Sequence, residues 1–387
     1  MSLPFLDLTA PGFATVSDEV RAARAESWCA RTPFGIAVLR HRQAGLILRD
    51  RRLRQGSHGW PDIVGLEGAF ADFWKRSIIS REGDDHKALR RVAQTALAED
   101  HIRALIPAFE ASAARLCGDL DPSGFDMVEA LTEPFAGEAI ALLLGLSMED
   151  APALAHDASR LGLAMGPDAR QFEAVSNEAC LRLTKLAEAL LDTPPPDSFV
   201  ARLKAAAGKV SRQELIDLIV ISIFGGVDTT RAQLAFAAWA FARHPDQWDW
   251  LRVNPEAIPQ AIDEVIRMRP TTTWASREAL EDMTFEGVSI NAGETVHVLV
   301  HASGTDPVTG HEGQFDIRCS AKGHFGFGGG AHHCLGHFVA RTDMAAALRV
   351  MLERWHAIHL DGDPVFLQDS GNTSPVSLRL RVESATS

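Results

Sequence analysis

The residues best suited to chemistry lie in one short segment, 324–336, which reads His-Phe-Gly-Phe-Gly-Gly-Gly-Ala-His-His-Cys-Leu-Gly. The glycines at 326, 328, 329 and 330 would let the backbone approach a flat ligand closely. Cys334 immediately precedes a predicted helix over about 335–355, so its thiolate would receive backbone N–H groups and the positive end of the helix dipole. These contacts lower the pKa of a thiol and favour metal binding, and we expect Cys334 to be poised for iron.

Three other interpretations of this segment are open. Gly326-x-Gly328-x-x-Ala331 matches the spacing of a dinucleotide-binding loop, although no strand precedes it and no acidic residue stands ~20 positions later at the end of a second strand. Four side chains could instead bind zinc: His332, His333, Cys334 and His337. A catalytic zinc site of the H-E-x-x-H type also needs a glutamate base, which this segment lacks. The simplest alternative is an ordinary buried thiol in a glycine-rich loop.

A long central helix is predicted from Ser211 to Arg243. Ser211 and Glu214 form a capping-box signature at its start, and Pro245 stops it. With the usual rise per residue, this helix would be roughly 45 Å long. Its midpoint reads Gly225-Gly226-Val227-Asp228-Thr229-Thr230, and each glycine costs roughly 1 kcal/mol relative to alanine inside a helix. The pattern predicts a local opening where another group packs against the backbone, with a tolerated kink as the alternative.

The remaining pattern indicates a mainly α protein of the α+β class. Apolar residues recur at helical spacing in several segments before Pro270, among them 89–97, 102–120 and 171–191. The proline cluster at 193–197 is a predicted loop. Strand-like patterns occupy 284–290, 295–299 and 376–382.

These elements predict one domain over residues 1–387, with small sheets added to a helical body. The predicted helix-rich parts are about 80–270 and 335–355. The predicted β-rich parts are about 271–300 and 365–383.

Composition and charge exclude several classes of protein. The 38 Lys and Arg residues against 51 Asp and Glu give a net charge of −13, which excludes a generally basic nucleic-acid binder. The five cysteines are scattered and show no C-x-x-C spacing, so neither a disulfide framework nor a zinc ribbon is indicated. The sequence has no apolar run of ~18 residues and no signal-peptide pattern, so we expect a cytoplasmic protein without membrane contact.

Four segments together resemble the cytochrome P450 family. Residues 327–336, Phe-Gly-x-Gly-x-His-x-Cys-x-Gly, match its haem-binding signature. The hexapeptide 225–230 resembles its oxygen-activation motif. Glu264-x-x-Arg267 matches its E-x-x-R element, and His86-x-x-x-Arg90 matches the H-x-x-x-R element of an earlier helix. The segments occur in the family's order and cover about residues 80–341, so the resemblance implies the cytochrome P450 fold.

The resemblance also implies a role for each of these residues. Cys334 is the axial ligand of the iron in haem b, and Asp228 and Thr229 are the catalytic pair that handles protons. The haem propionates are bound by four side chains: His86, Arg90, Arg277 and His332. Three further residues contact the cofactor: Phe327, Gly328 and Gly226. Glu264 and Arg267 lock the core beneath the haem, although the same spacing is also that of an ordinary ion pair on a helix surface.

The implied reaction inserts one atom of O2 into a small to medium apolar substrate, such as a terpenoid, a steroid or an aromatic compound. The chain shows no flavin, NAD or iron–sulfur segment, so the electrons would come from NAD(P)H through a ferredoxin reductase and a ferredoxin. We expect the ferredoxin to dock near three basic residues: Lys87, Arg91 and Arg341.

Two other kinds of haem-thiolate protein remain as alternatives. One is an enzyme that uses peroxide directly or isomerises an oxygenated substrate. The other is a sensor without catalysis, and the Asp228-Thr229 pair argues against it because a sensor needs no proton delivery.

The substrate pocket is expected where apolar residues meet the central helix. The segment 60–79 is strongly apolar for an irregular segment and would form one wall, unless its side chains merely pack onto neighbouring helices. The predicted pocket residues are Trp60, Phe70, Phe73, Trp74, Ile78, Val227, Thr272, Trp274 and Thr373.

One segment departs from the family pattern. Residues 302–307 read Ala-Ser-Gly-Thr-Asp-Pro, where many members have Ala-Asn-Arg-Asp-Pro. The hydrogen bonds of the Asn and Arg side chains are therefore missing here.

Overall fold

The structure, a computed structural model, describes residues 3–166, 168–310, 313–318 and 323–385. In chain order its α-helices are α1 (Asp18–Glu26), α2 (His41–Ile47), α3 (Trp60–Val64), α4 (Ala69–Arg76), α5 (Gly83–Ala96), α6 (Glu99–Ala104), α7 (Ile106–Gly118), α8 (Glu133–Leu144), α9 (Ala151–Gly162), α10 (Glu173–Asp192), α11 (Phe199–Ala206), α12 (Arg212–Arg243), α13 (Pro245–Val253), α14 (Ile258–Met268), α15 (Val300–Gly304) and α16 (His337–Arg354). None of the helices within these described ranges has the length and apolarity needed to cross a membrane.

The strands are β1 (Cys29–Thr32), β2 (Gly35–Val38), β3 (Leu53–Gln55), β4 (Phe125–Asp126), β5 (Trp274–Ala279), β6 (Met283–Phe285), β7 (Val288–Ile290), β8 (Thr295–Leu299), β9 (Trp355–Leu360), β10 (Val365–Phe366), β11 (Pro375–Ser377) and β12 (Arg379–Ser384). Short 3₁₀ helices lie at Gly56–Gly59, Ile78–Ser80, Met148–Asp150, Leu163–Met165, Ala169–Phe172, Pro255–Ala257, Pro307–Thr309 and Gly330–His332, and a π-helical turn lies at Val128–Thr132.

The chain forms two compact units, each built from separate stretches of sequence. The first, called here the sheet unit, contains Met1–Trp60, Asp263–Cys334 and Leu367–Thr373. The second, called the helical unit, contains Pro61–Ile262, Leu335–Phe366 and Ser374–Ser387. Cys334 thus belongs to the sheet unit, and the Asp228-Thr229 pair belongs to the helical unit.

A five-stranded sheet in the order β1-β2-β8-β5-β3 organises the sheet unit. β2 and β8 run parallel, and the other neighbours run antiparallel. One face is covered by an apolar cluster that includes Ile36 and Val296, and the other by a cluster that includes Ala37 and Leu299. Successive side chains of a strand point to opposite faces. Arg277 pairs with Val296 in the register and therefore lies on the Val296 face.

The sequence prediction missed β1, β2 and β3, because it placed the β structure after residue 270. These strands have only three or four residues, and every residue of β2 is buried. A strand covered on both faces shows no alternation of apolar and polar residues, so its sequence carries no period-two signal. β4 and β9 also lie outside the predicted β-rich parts.

Helix α12 is the central element of the helical unit. The Ser211 hydroxyl accepts from the backbone N–H of Glu214, and the Glu214 carboxylate accepts from the backbone N–H of Ser211 at 2.8 Å, which confirms the capping box. The helix has 32 residues and a length of about 48 Å. It packs against α8, α9 and α10 and is buried along most of its length. The predicted helix from Ser211 to Arg243 is confirmed.

Two other predicted segments differ from the structure. The helix expected over 102–120 is divided at Leu105 into α6 and α7. Pro107 lies in the first turn of α7, where a backbone N–H has no partner within the helix, so proline costs no helical hydrogen bond there. The segment 60–79, expected to be irregular, contains α3 and α4. Gly65 and Gly68 separate these two helices, with φ values of +70° and +86° that glycine adopts readily.

Candidate active site

The cysteine loop, residues 323–336, folds back on itself before α16 begins. The backbone N–H of Cys334 donates to the carbonyl of Phe327 at 2.9 Å, and that of Gly328 donates to the carbonyl of Phe325 at 2.8 Å. Gly328 and Gly330 have left-handed φ values of +67° and +71°, which are accessible to glycine without a steric penalty. The loop is thus closed by its own backbone, with Cys334 near its end.

Two of the loop glycines are required by close packing within the protein. A Cβ atom at Gly330 would clash with the carbonyl of Leu48, and one at Gly326 would clash with the side chain of Ile266. At Gly328 the nearest atom to a Cβ would be 3.8 Å away. Gly326 and Gly330 are therefore required for packing of the loop, and the close approach of a flat ligand stays a prediction for Gly328.

Arg277 of β5 connects the sheet to the cysteine loop through hydrogen bonds. Its guanidinium is buried, and Nη2 donates to the carbonyls of Gly329 at 3.0 Å and Leu48 at 3.4 Å. Nη1 donates to Gln55 Oε1 at 3.0 Å. Arg277 therefore positions the backbone of the loop that carries Cys334. Its contact with a haem carboxylate stays a prediction.

Glu264 and Arg267 form a buried ion pair in the sheet unit. Nε and Nη2 of Arg267 donate to the two carboxylate oxygens of Glu264 at 2.6 and 2.7 Å. The residues are 3% and 1% exposed, so the alternative of an ordinary surface pair is wrong. Arg267 also donates to the carbonyls of Gly304 at 3.2 Å and Gln314 at 2.7 Å, while Glu264 accepts from the N–H of Asp316 at 2.9 Å. The pair thus ties α14 to two distant segments.

Arg24 of α1 supplies hydrogen bonds to residues 302–307, the segment that departs from the family pattern. Its buried guanidinium donates to the carbonyl of Ala302 at 2.7 Å and to Thr305 Oγ1 at 2.8 Å. The Asp306 carboxylate accepts from the backbone N–H of His41 at 2.8 Å. Sequence analysis missed Arg24, because it lies 278 positions before Ala302 and nothing in its own segment marks it.

The aromatic residues of the cysteine loop contact one another. The ring of Phe327 lies 5.8 Å from the ring of His324 and 6.4 Å from the ring of His333. His332 is half-buried in the same loop. These contacts hold Phe327 in place, and the haem contacts of Phe327 and His332 stay predictions.

Cys334 is less buried than the other cysteines that the structure describes. Burial raises the pKa of Cys29 to about 11, of Cys117 to about 12 and of Cys180 to about 11. Such thiols stay protonated near neutral pH and are poor metal ligands. Cys334 is only half-buried, and Cys319 lies outside the described residues.

The loop fits a haem thiolate better than a zinc site. Within the described ranges, no group of three or more His, Cys, Asp or Glu side chains is arranged to hold a metal ion. Haem iron needs only one thiolate from the protein, because the porphyrin supplies the other bonds. The half-buried Cys334 on a backbone held by Arg277 meets that requirement.

Helix α12 runs unbroken through its two central glycines, so the predicted local opening is not present. A Cβ atom at Gly226 would clash with Ile140 of α8, whereas one at Gly225 would meet no atom within 4 Å. Close packing of α8 offsets the poor helix propensity of Gly226. Gly226, predicted to contact the haem, thus packs against Ile140, and Gly225 is the glycine that leaves open space beside the helix.

The two catalytic candidates have partners on their own helix. Thr229 Oγ1 donates to the carbonyl of Gly225 at 2.5 Å, and Asp228 Oδ1 accepts from Arg231 Nη2 at 2.7 Å. Both residues are half-buried. Sequence analysis missed Arg231, although residues three apart on a helix are neighbours and the spacing could have revealed the pair.

Asp343 of α16 is a buried acid that sequence analysis also missed. Complete burial raises the pKa of its carboxyl group well above the ordinary value, and hydrogen bonds from the Met344 N–H, at 2.6 Å, and from Thr230 oppose the shift. The carboxyl group therefore keeps its proton to higher pH than an exposed aspartate. Asp343 joins α16 to the residue that follows Thr229 in α12.

His86 and Arg90 lie one turn apart on α5, with His86 buried and Arg90 half-buried. The pKa of His337, at the start of α16, is lowered by burial and then by the positive charges of Arg341 and Arg90, whereas Glu99 opposes the shift. Arg90 thus lies within electrostatic reach of the first turn of α16. Binding of haem propionates by His86 and Arg90 stays a prediction.

The three basic residues predicted to bind a ferredoxin differ in their surroundings. Lys87 pairs with Asp84 at 2.7 Å, and Arg341 is half-buried beside the carbonyl of His337 at 3.4 Å. Arg91 is exposed on α5. A positive docking patch therefore depends more on Arg91 than on the other two.

The predicted pocket residues of the helical unit form one apolar cluster. Phe70, Phe73 and Trp74 are almost completely buried, and the ring of Trp74 lies 5.8 Å from Phe70 and 6.4 Å from Phe224. The same cluster contains Ile78 and Val227. The structure brings these residues together, and their burial also agrees with the alternative that they pack onto neighbouring helices.

In the sheet unit, hydrogen bonds join the segments 271–274 and 371–373. The N–H of Thr373 donates to the carbonyl of Thr271 at 2.8 Å, and the Thr271 hydroxyl donates to the carbonyl of Thr373 at 2.8 Å. Thr272 forms a bridge with Asn372. The predicted pocket residues Thr272 and Thr373 are therefore close together.

Trp274 and Arg277 lie on opposite faces of β5, because they are three residues apart in a strand. The ring of Trp274 lies 5.6 Å from that of His297 on the other face of the sheet from Arg277. The two side chains therefore point away from each other, and their predicted roles, Trp274 in the substrate pocket and Arg277 at a haem carboxylate, stay predictions. Trp60 is half-buried at the start of α3.

Known proteins share both the sequence and this architecture. The sequence model of the family described as cytochrome P450 matches residues 163–373. Luteothin monooxygenase of Streptomyces thioluteus is 34% identical over 99% of this chain and 97% of that protein. The 20-oxo-5-O-mycaminosyltylactone 23-monooxygenase of Streptomyces fradiae is 28% identical over 96% of this chain and 86% of that protein. The crystal structure of CalO2 is 25% identical, with a TM-score of 0.86 over 97% of this chain and 99% of that one.

These similarities extend over nearly the whole chain, not the cysteine loop alone. The predicted mainly α fold with small sheets is confirmed by the similarity to CalO2. Both sequence relatives are named as monooxygenases. The chain belongs to the cytochrome P450 family and is a monooxygenase.

Proposed function

We propose that this protein binds haem b through the Cys334 thiolate and inserts one atom of O2 into an apolar natural product. Substrate, O2, two electrons and two protons give the hydroxylated product and water. The proposal rests on the cysteine loop, where Cys334 is half-buried and its backbone bonds to Phe327. A haem ligated by a thiolate supplies the electron density that favours O–O cleavage.

Four side chains are proposed to hold the haem carboxylates: His86, Arg90, Arg277 and His332. Buried carboxylates require charged hydrogen-bond donors to offset the loss of hydration. Arg277 is buried and donates to backbone carbonyls, which are weaker acceptors than a carboxylate. It can therefore bind a carboxylate while one of its nitrogens keeps the loop in place.

Asp228 and Thr229 are proposed to deliver protons. The Thr229 hydroxyl is held by the carbonyl of Gly225, beside the open space that Gly225 leaves. Asp228 precedes it on the helix and can take a proton from water. General-acid groups of this kind contribute about 10²–10⁴-fold to rate.

The substrate is proposed to be an apolar natural product. Two relatives are named for the oxygenation of luteothin and of a mycaminosyl tylactone. Phe70 and Trp74 of α4 form an aromatic cluster with Phe224 of α12. Aromatic side chains bind apolar surfaces with little loss of conformational freedom.

Electrons are proposed to come from NAD(P)H through a ferredoxin reductase and a ferredoxin, which fits a cytoplasmic enzyme. Arg91 and Lys87 are both exposed in the predicted docking region, and Lys87 is paired with Asp84. Rim charges act mainly on association rate and are screened by salt. Reduction by a ferredoxin should therefore be slowed by Arg91→Glu and by added salt, whereas reduction by dithionite should not.

The reduced, CO-bound absorption spectrum tests the ligand assignment. We expect the wild-type protein to show the strongly red-shifted Soret band of a haem thiolate, and Cys334→Ser to lose it, because an alcohol does not supply the thiolate's electron density. Cys180→Ser is the matched control, since Cys180 is buried. Survival of the band in Cys334→Ser, or a colourless wild-type protein that contains zinc, would overturn the proposal.

A further inference from the structure

The N-terminal segment of the sheet unit is joined to a segment near the other end of the chain through one carboxylate oxygen. The backbone N–H and the hydroxyl of Thr15 donate to Oδ2 of Asp369 at 2.7 and 2.6 Å. The two residues are 354 positions apart. Thr15 is only 2% exposed, so water competes little for its donors. Hydrogen bonds to a charged acceptor are roughly twice as strong as those between neutral groups, and these two therefore form a firm long-range connection.

The 367–373 loop, which carries Asp369, has little apolar burial of its own. Leu367 is 52% exposed, and Gln368 is exposed as well. Segments with few buried apolar contacts open more easily than the core. The side chain of Gln368 adds a weak hydrogen bond to the carbonyl of Ala10 at 3.4 Å. The position of the loop therefore depends on hydrogen bonds, and those to the N-terminal segment are part of that set.

On its other side the loop pairs with residues 271–273. The N–H of Thr273 donates to the carbonyl of Gly371 at 2.9 Å, and the N–H of Gly371 donates to Thr273 Oγ1 at 3.1 Å. The two hydrogen bonds between Thr271 and Thr373 lie beside them. A displacement of the loop would therefore displace or release residues 271–273, which belong to the predicted substrate pocket.

Trp274 gives the N-terminal segment a second contact with the loop. A Cβ atom at Gly371 would lie 3.6 Å from Nε1 of Trp274, so the backbone of the loop lies against the indole ring. The indole in turn packs against the apolar cluster that contains Phe13 and Leu299. The N-terminal segment thus supports the loop by apolar packing as well as by the hydrogen bonds to Asp369.

We propose that Thr15 is a positioning residue for substrate binding: its hydrogen bonds to Asp369 clamp the 367–373 loop, and the loop fixes the pocket wall at residues 271–273. The inference rests on the proposed function, because it requires this wall to face a ligand bound at the haem. Thr15 acts through Asp369. Its loss should weaken the binding of ligands large enough to meet the wall, and leave binding at the iron itself unchanged.

Hydrogen exchange measured by mass spectrometry on the haem-bound protein tests the clamp. Thr15→Val keeps the shape of the side chain and removes its hydroxyl, so peptides covering 367–373 should exchange about tenfold faster, because a hydrogen bond to a charged group is lost. Thr15→Ser keeps the hydroxyl and should exchange as wild type does. Unchanged exchange in Thr15→Val would overturn the proposal.

Thr9→Val is the matched control in the same segment. The N–H and the hydroxyl of Thr9 donate to Oδ1 of Asp7 at 2.9 and 2.6 Å, which is the same arrangement between residues only two positions apart. Exchange over 367–373 should not change in this variant. An acceleration equal to that of Thr15→Val would show a general loosening of the N-terminal segment and would overturn the clamp.

Two ligands of the haem iron test the effect on the pocket. Imidazole and 4-phenylimidazole both bind iron through a ring nitrogen, and only the second carries a phenyl ring that can meet the pocket walls. Shifts of the Soret band give both dissociation constants. In Thr15→Val the constant for 4-phenylimidazole should rise about two- to fivefold, because a wall in place for only part of the time reduces the apparent affinity by that fraction.

The constant for imidazole should stay the same in Thr15→Val, and both constants should stay the same in Thr15→Ser and Thr9→Val. Equal changes for the two ligands, or no change for either, would overturn the role of the loop as a pocket wall. This readout does not depend on turnover.

Asp369→Ala decides whether Thr15 acts through this carboxylate. Asp369 is half-buried, and its replacement should reproduce both effects of Thr15→Val. Adding Thr15→Val to Asp369→Ala should then change neither exchange nor the dissociation constants, and additive effects would overturn the clamp. If neither imidazole shifted the Soret band of the wild-type protein, the proposed haem site would fail instead, while exchange over 367–373 would still decide whether the clamp exists.

Discussion

The cysteine loop and the middle of α12 hold their polar groups in opposite ways. Around the loop, hydrogen bonds join residues far apart in sequence: Arg277 and Gly329 are separated by 52 positions, and Arg267 and Gln314 by 47. In α12, Thr229 bonds four positions back and Asp228 three positions ahead. The loop cannot move without disturbing the sheet unit, whereas the groups of α12 can change partners while the helix stays intact.

This difference matches the role proposed for each region. A ligand to iron has to stay at one position, so its support is buried and long-range. A group that delivers protons has to take one partner and then another, so a local and weak hydrogen bond suits it.

Loss of Arg267 should produce the largest effect on stability. Arg267→Met leaves the Glu264 carboxylate buried without its cation, which costs about 3–5 kcal/mol in free energy of unfolding. Lys75→Met removes an exposed pair with Asp62 and should cost at most about 1 kcal/mol. Urea unfolding followed by circular dichroism measures both losses.

The double variant Glu264→Gln/Arg267→Met keeps this prediction testable if the single variant does not fold. It removes both charges, so it should be more stable than Arg267→Met alone. Equal losses in Arg267→Met and Lys75→Met would contradict the buried role of the Glu264–Arg267 pair.

Asp343 should make stability depend on pH. Burial raises the pKa of its carboxyl group above the value near 3.8 of an unfolded chain, so the folded protein keeps a proton that the unfolded chain loses. The stability from this group is fully present below the unfolded pKa and falls as pH rises toward the folded pKa, by about 1.4 kcal/mol per pH unit.

Asp343→Asn cannot titrate, so it should gain stability relative to wild type as the pH rises above the unfolded pKa near 3.8. Unfolding by urea at a series of pH values measures the difference. Asp119→Asn, at an exposed acid, is the control and should show no such trend. If the free energies of unfolding of wild type and Asp343→Asn differed by the same amount at every pH, the pKa of the buried carboxyl group would not be raised.

Replacing Gly225 or Gly226 of α12 with alanine should change the free energy of unfolding only slightly, and differently at the two positions. Gly225→Ala meets no atom within 4 Å and should raise the free energy of unfolding by about 1 kcal/mol through helix propensity. Gly226→Ala should gain less or lose stability, because its Cβ clashes with Ile140. Combining Gly226→Ala with Ile140→Val, which removes the clashing Cδ1 methyl group, should restore the gain in stability. Equal changes in the free energy of unfolding for Gly225→Ala and Gly226→Ala would contradict the difference in packing between the two positions.

The cysteine loop and α12 could be predicted because their signals are local. The capping box at Ser211 and Glu214 and the absence of proline before Pro245 define α12. The spacing of residues 327–336 identifies the loop. By contrast, β2 is buried on both faces and shows no alternation, so the sequence pattern gave no sign of it.

Side-chain partners were harder to predict than elements. Arg24 reaches Ala302 across 278 positions, and Asp343 meets Thr230 from another helix. Such contacts depend on the packing of whole elements, which the local pattern does not encode. Gly226 shows the same limit, since a glycine that could admit a ligand and one that admits a neighbouring helix look alike in the sequence.

Coupling in Thr229→Ala tests most directly whether α12 delivers protons while the cysteine loop holds the cofactor. The quantities measured are product formed and hydrogen peroxide released for each NAD(P)H consumed, with Thr229→Ser as the control that keeps the hydroxyl group. We expect Thr229→Ala to bind substrate and accept electrons as wild type does, yet to release most reducing equivalents as peroxide, because the hydroxyl that guides protons is gone. Unchanged coupling in a folded Thr229→Ala variant would contradict the assignment of proton delivery to α12.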